Sequence, residues 1–257
     1  MTRDFTLRSY ERLLSSLLEN GYRFLTFEEY LEKGLEGKQV ILRHDVDDLP
    51  ENSHRTAIIE HQLGIKGVYY FRIVRQSNHP NVIRDIAALG HEIGYHYEDL
   101  ALARGDMQKA IKKFEDNLNY FREYYLVKTI CMHGSPRSRW DNRKVWEKYN
   151  YRDFGISGEP YLDLDFNKFA YLTDTGRTWN GALVSVRDKV SSPHQLNFAR
   201  TDQIIENVKT LPDHLMITVH PQRWNDGLLL WTKELIFQNL KNLIKRIIIR
   251  QPAPPTA

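Results

Sequence analysis

Between Val40 and Asp48 the sequence reads VILRHDVDD, an apolar run that stops at one arginine, one histidine and three carboxylates. Asp45 and Asp47 are two residues apart, so in an extended segment both side chains fall on one face. One of them can bind a cation while the other stays within reach of a bound water. His96 and Glu98 repeat that spacing in HEIGYHYE. Imidazole nitrogens with carboxylate oxygens suit zinc or a similar divalent ion that keeps one position open. Such an ion lowers the pKa of bound water towards about 7, a neighbouring carboxylate takes the proton, and a further histidine protonates the leaving group. Hydrolysis of an amide or ester is the chemistry these residue types support.

The elements that must position them alternate. VILRHDVDD, KGVYYFRIV, HEIGYHYE, VKTICMHGSP and LMITVHPQRW read as strands. Between them lie the helical stretches NSHRTAIIEHQLG, PNVIRDIAALG, MQKAIKKFEDNLNYFREYY, NRKVWEKYN and DQIIENVKT. DFGISGEP, FAYLTDTG and ALVSVRD read as short strand-like pieces, and YERLLSSLLEN and FEEYLEKGLEG as helices ahead of the first strand. This pattern predicts right-handed βαβ units, a parallel sheet and, from about seven units, a barrel. Parallel strands share one carboxyl-terminal rim. His44, Asp45 and Asp47, then His96, Glu98 and Asp99, then His133, then Asp174 and Arg177, and finally His220 each follow a strand. A lone histidine at a strand end is more often a solvated residue; the joint occurrence points to a site.

Size and composition exclude little else. The 257 residues, 41% hydrophobic, suit a single globular domain over residues 1–250, with the proline-rich 251–257 as a disordered tail. A net charge of +3 is too small to argue for nucleic acid. The only cysteine, Cys131, allows no intramolecular disulfide and is expected buried and inert. No secretory h-region or membrane-spanning run is present, so a cytoplasmic location is expected. The final segment, ending LIKRIIIR, fits either a membrane-surface helix or a helix covering the barrel, and the second is the expectation.

RHDVDD, GHEIGYH, MHGSP and TVHP, in this order on successive strands, resemble the polysaccharide deacetylase family, the NodB-homology or carbohydrate esterase family four group, over roughly residues 38–225. The resemblance implies a distorted (β/α)7 barrel of α/β class, with an N-terminal helical segment and a C-terminal helix outside the motif-bearing part. It implies a divalent metal, usually zinc, and removal of acetyl groups from N-acetylhexosamines or related carbohydrates, with bacterial surface-glycan or lipopolysaccharide assembly as the setting. It makes Asp45 the general base, Asp47 and His96 metal ligands, and His220 the general acid.

Departures from the family pattern are specific. Val46 separates the aspartates, and Leu100 stands where the second motif supplies another histidine. The third ligand is then His133 or Glu98, with His133 preferred. Arg137 and Arg139 are candidates for the arginine that orients the base, and Asp174, Arg177 and Trp179 for the substrate pocket. Two other readings stand beside a deacetylase. One is a non-catalytic descendant that binds a glycan or a partner; the other is a metal-dependent phosphohydrolase using His44-Asp45.

Overall fold

A computed structural model of the chain describes residues 3–136, 138–179 and 190–250, with side-chain surroundings to residue 243. Helix α1 (Leu7–Glu19) starts at Thr6, whose hydroxyl accepts the Ser9 N–H. There follow β1 (Arg23–Leu25), α2 (Phe27–Lys33), β2 (Gln39–Val46), α3 (Pro50–Gln62), β3 (Val68–Phe71) and α4 (Pro80–Ala88). Next come β4 (Glu92–Tyr97), α5 (Asp99–Leu102), α6 (Met107–Arg122) and β5 (Ile130–Met132). The chain then makes 3-10 turns at Asn142–Glu147 and Tyr151–Phe154 before α7 (Pro160–Asp163), β6 (Ala170–Thr173), α8 (Thr201–Glu206), β7 (His214–Val219) and α9 (Leu228–Arg250).

Among the described residues every strand pair is parallel, in the order β5-β4-β3-β2-β7-β6. β7 runs along Gln39–His44 of β2. On the other edge β1 pairs with Gln39–Ile41 and β3 with Arg43–Val46, so two strands share that edge end to end. β5 and β6 close the two ends of the path without pairing to each other, which leaves a curled, open barrel. β1 and α5 are absent from the sequence reading, because three or four residues carry no measurable period. NRKVWEKYN forms a 3-10 turn and not the expected α-helix, while DFGISGEP contributes one bridge, Thr129 to Gly158. ALVSVRD and the 251–257 tail lie outside the described residues.

Alternation sorts the side chains into layers. Val40, Leu42, Leu215 and Ile217 point outward to one helical layer, and Phe71, Ile93, Tyr95 and Ile130 to another. Ile41, Val68, Tyr70, Cys131 and Met216 point inward and form an apolar floor with Phe27, Leu164 and Phe169. Each such aliphatic side chain contributes about 1.5–3 kcal/mol on burial. Gly94 is needed in that interior: a Cβ there would lie 2.3 Å from the Tyr70 ring. Farther along the same strands the inward positions turn polar, at Arg43, Asp45, His96 and Thr218.

One buried carboxyl sits low in the barrel. Glu92 accepts the Glu28 N–H at 2.9 Å and the Thr129 hydroxyl, and burial pushes its pKa from 4.5 up to about 7. A folded pKa above the unfolded one means the native state binds more protons between those values, so stability falls as pH rises from about 4.5 to about 7. Glu92→Gln is expected to remove most of that decline, worth about 2–3 kcal/mol, and to raise Tm at pH 8 by roughly 5–10 °C. Melting curves of both proteins from pH 5 to pH 8 check this; parallel curves would refute it.

Candidate active site at the carboxyl ends of the strands

Inward-facing β2 positions are Arg43, Asp45 and, one residue past the strand, Asp47. Arg43 is fully buried and grips its neighbour bidentately, Nε donating to Asp45 Oδ1 at 2.8 Å and Nη2 to Oδ2 at 2.6 Å. Burial opposes ionisation of Asp45, but the Arg43 guanidinium and then His96 outweigh it and hold the carboxyl below its usual range. His44 points the other way, into the helical layer, where it meets Glu60 at 2.9 Å. His44 and Asp45 therefore do not converge as a phosphohydrolase pair would.

Three histidines surround Asp47. His96, on β4, has its Nε2 3.8 Å from Asp47 Oδ1, and His133, just past β5, has its Nε2 3.6 Å from the same oxygen. His220, just past β7, places Nε2 4.0 Å from Oδ2. Asp47 Oδ1 is buried and has no hydrogen-bond partner among the described residues, with Arg72 Nη1 at 3.9 Å. An orphaned carboxylate oxygen facing two imidazole nitrogens fits a divalent cation, for which zinc's bond lengths imply neighbouring ligand atoms roughly 3.3–3.5 Å apart.

The far nitrogens of these rings are tethered. His96 Nδ1 is 2.9 Å from the Cys131 carbonyl, which leaves Nε2 as a lone-pair donor towards Asp47. Burial also pushes the His96 pKa down to about 4, so the ring is neutral at neutral pH. His133 Nδ1 lies 2.9 Å from Glu98 Oε2. Burial disfavours the charged ring, yet Asp47 and Glu98 outweigh it and raise the pKa; the same negative field favours a cation at Nε2. Glu98 is itself occupied. Its Oε1 accepts Arg72 Nη2 at 2.6 Å, and His133 with Arg72 overcomes burial to bring its pKa down to about 2. Glu98 thus stands behind His133, as outer carboxylates stand behind metal-binding histidines. Glu98→Gln is expected to weaken divalent-metal affinity by about 10–100-fold, read by titration calorimetry. Unchanged affinity would remove that role.

His220 forms a dyad with Asp174. Its Nδ1 is 2.6 Å from Asp174 Oδ1, and its backbone N–H donates to Oδ2 at 2.9 Å. Arg223 and the Trp224 indole also donate to Asp174, and the charged neighbours overcome burial to keep it ionised. Asp174 is fully buried, so it orients His220 and does not line a pocket. Trp179, expected in the pocket, is 1% exposed and packs beside Phe5 and Trp224. Arg177 donates to the Arg223 carbonyl at 3.3 Å and stacks on Phe5 and Trp231.

Asp45, Asp47, His96, His133 and His220 thus meet at one rim, while Arg177 and Trp179 sit apart from it. Leu100 is buried in the core. Arg139 stacks on Trp140, and Arg137 lies outside the described residues. The residue that holds Asp45 is Arg43, which sequence reasoning missed. Its signal was there: Arg43 has the same two-residue spacing to Asp45 that paired the two aspartates. Asp45, His96 and Cys131 also place one donor atom each within 4.8 Å of one another. Arg43 occupies both Asp45 oxygens, whereas Asp47 Oδ1 accepts no hydrogen bond among the described residues and has Arg72 Nη1 at 3.9 Å; the two sets share His96.

No protein-family model matches the sequence, and no curated protein matches it. Among solved structures the chain is similar to the Xyl-CE4 domain of a multidomain xylanase from the hindgut metagenome of Trinervitermes trinervoides. That match has 13% identity and a TM-score of 0.43 and covers 81% of this chain and 85% of that one. It is also similar to a family 4 carbohydrate esterase from Streptomyces lividans in complex with acetate, at 15% identity, a TM-score of 0.42 and coverage of 79% and 88%. The peptidoglycan deacetylase PdaC from Bacillus subtilis matches at 12% identity, a TM-score of 0.39 and coverage of 81% and 96%.

Proposed function

We propose that the chain is a metal-dependent hydrolase that removes an N-acetyl or O-acetyl group from a carbohydrate. The observation that carries this is the buried, unbonded Asp47 Oδ1, faced by His96 and His133 and flanked by Asp45 and His220. Asp47, His96 and His133 would hold the cation, and two imidazoles with one carboxylate favour zinc. When bound, it supplies Lewis-acid polarisation of the scissile carbonyl.

The chain's own residues supply the proton transfers. Asp45, kept ionised by Arg43, accepts the proton of the attacking water. Arg43 also fixes the carboxylate in one orientation, since two parallel N–H···O bonds leave it no freedom to rotate. His220, its Nδ1 held by Asp174, presents Nε2 to the site and donates a proton to the departing amine or alkoxide. The acetylated sugar and the bacterial surface-glycan or lipopolysaccharide setting extend the motif resemblance, and a cytoplasmic site of action is the separate expectation from the sequence; all belong to the same proposal. The test is acetate release from N-acetylated and O-acetylated sugars and glycans by protein loaded with zinc or cobalt. Metal-loaded protein that binds glycan but releases no acetate would replace the hydrolase with a binding module.

A further inference from the structure

Helix α9 is turned inside out relative to an ordinary covering helix. Residues at Trp231, Glu234, Leu235, Gln238 and Asn242, spaced as one helical stripe, face the barrel. Hydrogen bonds anchor that stripe. Gln238 is 3% exposed and donates to Asn242, Asn242 donates to the Gly176 carbonyl at 2.8 Å, and the Trp231 indole donates to the Asp4 carbonyl at 2.6 Å. The opposite stripe is apolar and open: Leu229 is 87% exposed, Ile236 64%, and Phe237, Leu240 and Leu243 more than half. Among the described side chains, the expectation that this helix buries its apolar residues on the barrel is therefore corrected at Leu229, Ile236, Phe237, Leu240 and Leu243, which face away from it.

Charge decides the occupant. The helix sequence carries Lys233, Lys241, Lys245, Arg246 and Arg250 against the single acid Glu234. Lys233 falls in the middle of the apolar stripe at 100° per residue, and Lys241 lies over the Phe237 ring at 4.3 Å. A second copy of α9 would set these cations against each other and strand Lys233 in an apolar seam. At a lipid surface the same lysines extend to the headgroups while their stems stay among the acyl chains. No helix among the described residues is long and apolar enough to cross a membrane. We propose that the outer face of α9 seats the protein on an anionic lipid surface, with the helix lying in the interface plane. Asn242 ties the inner face of α9 to Gly176, two residues past Asp174, so the helix would stand between the lipid and the loop that orients His220.

The experiment is co-sedimentation of the full chain with phosphatidylcholine vesicles, with and without phosphatidylglycerol. Binding is expected to be about tenfold or more stronger on the anionic vesicles and to weaken with salt. The triple variant Leu229→Ser, Ile236→Ser and Leu240→Ser is expected to lose binding. Its circular dichroism and Tm should match the parent, since the replaced side chains are largely exposed. Lys233→Glu with Lys241→Glu should cost a similar factor on anionic vesicles alone. Failure to bind either vesicle, or equal binding by the triple variant, would overturn the proposal. So would a dimer in light scattering that the triple variant dissociates, which would assign the face to a second copy.

Discussion

Asp47→Asn is expected to abolish stoichiometric divalent-metal binding and lower acetate release by about three orders of magnitude or more. Asp45→Asn is expected to lower turnover by about 10²–10⁴-fold while the metal stays bound. Asp45 on β2 and Asp47 one residue past its end are two residues apart and face the same way, yet the fold gives them different partners. Arg43 takes both oxygens of Asp45, whereas Asp47 keeps a buried oxygen unbonded between two histidine nitrogens. Metal content of the purified variants and acetate release measured side by side separate the roles. Cys131→Ser serves as the contrast and should keep its metal. If Asp47→Asn retains the cation and Cys131→Ser loses it, the centre is Asp45–His96–Cys131 instead.

Removing Glu60 is expected to be the costliest single change to stability away from that rim. Glu60 is buried on α3 behind the sheet, where Oε1 accepts Tyr10 at 2.6 Å and Tyr69 at 2.7 Å and pairs with His44 Nε2 at 2.9 Å. His44 Nδ1 is meanwhile 3.1 Å from the Val68 carbonyl, so both ring nitrogens are engaged. Glu60→Ala leaves a buried imidazole and two phenols without their shared acceptor, a loss of about 3–5 kcal/mol and roughly 10 °C or more in Tm. Burial opposes the Glu60 charge, but His44 outweighs it and lowers the pKa below 4.5. A depressed carboxyl contributes stability above its unfolded pKa and loses it as pH falls through the folded one. The deficit should therefore be full at neutral pH and shrink in acid. Urea denaturation at pH 7 and pH 4 measures both; a deficit under about 1 kcal/mol at pH 7 would show that the network relaxes around the gap.

Read from the sequence alone, the strand order of the chemistry was accessible: Asp45 and Asp47 after the first predicted strand, then His96, His133 and His220 after later ones. Period-two alternation placed the aspartates together, and parallel βαβ connectivity sent each cluster to one rim, because both rules are local and independent of what packs above. Partners at long range were not accessible. Glu98 and His133 are 35 residues apart, Asp174 and His220 46, and only the curl of the sheet shows that one member of each pair holds the other. Asp174, Arg177 and Trp179 are clustered in sequence, yet burial splits them into an orienting carboxylate, a cation stacked on aromatic rings and a core indole. Helix α9 shows the same limit. The sequence determined that it is a helix with one apolar and one polar face. Which face meets the barrel depends on the Gly176 and Asp4 carbonyls waiting for Asn242 and Trp231, and tertiary structure alone decided that the apolar face is left outside.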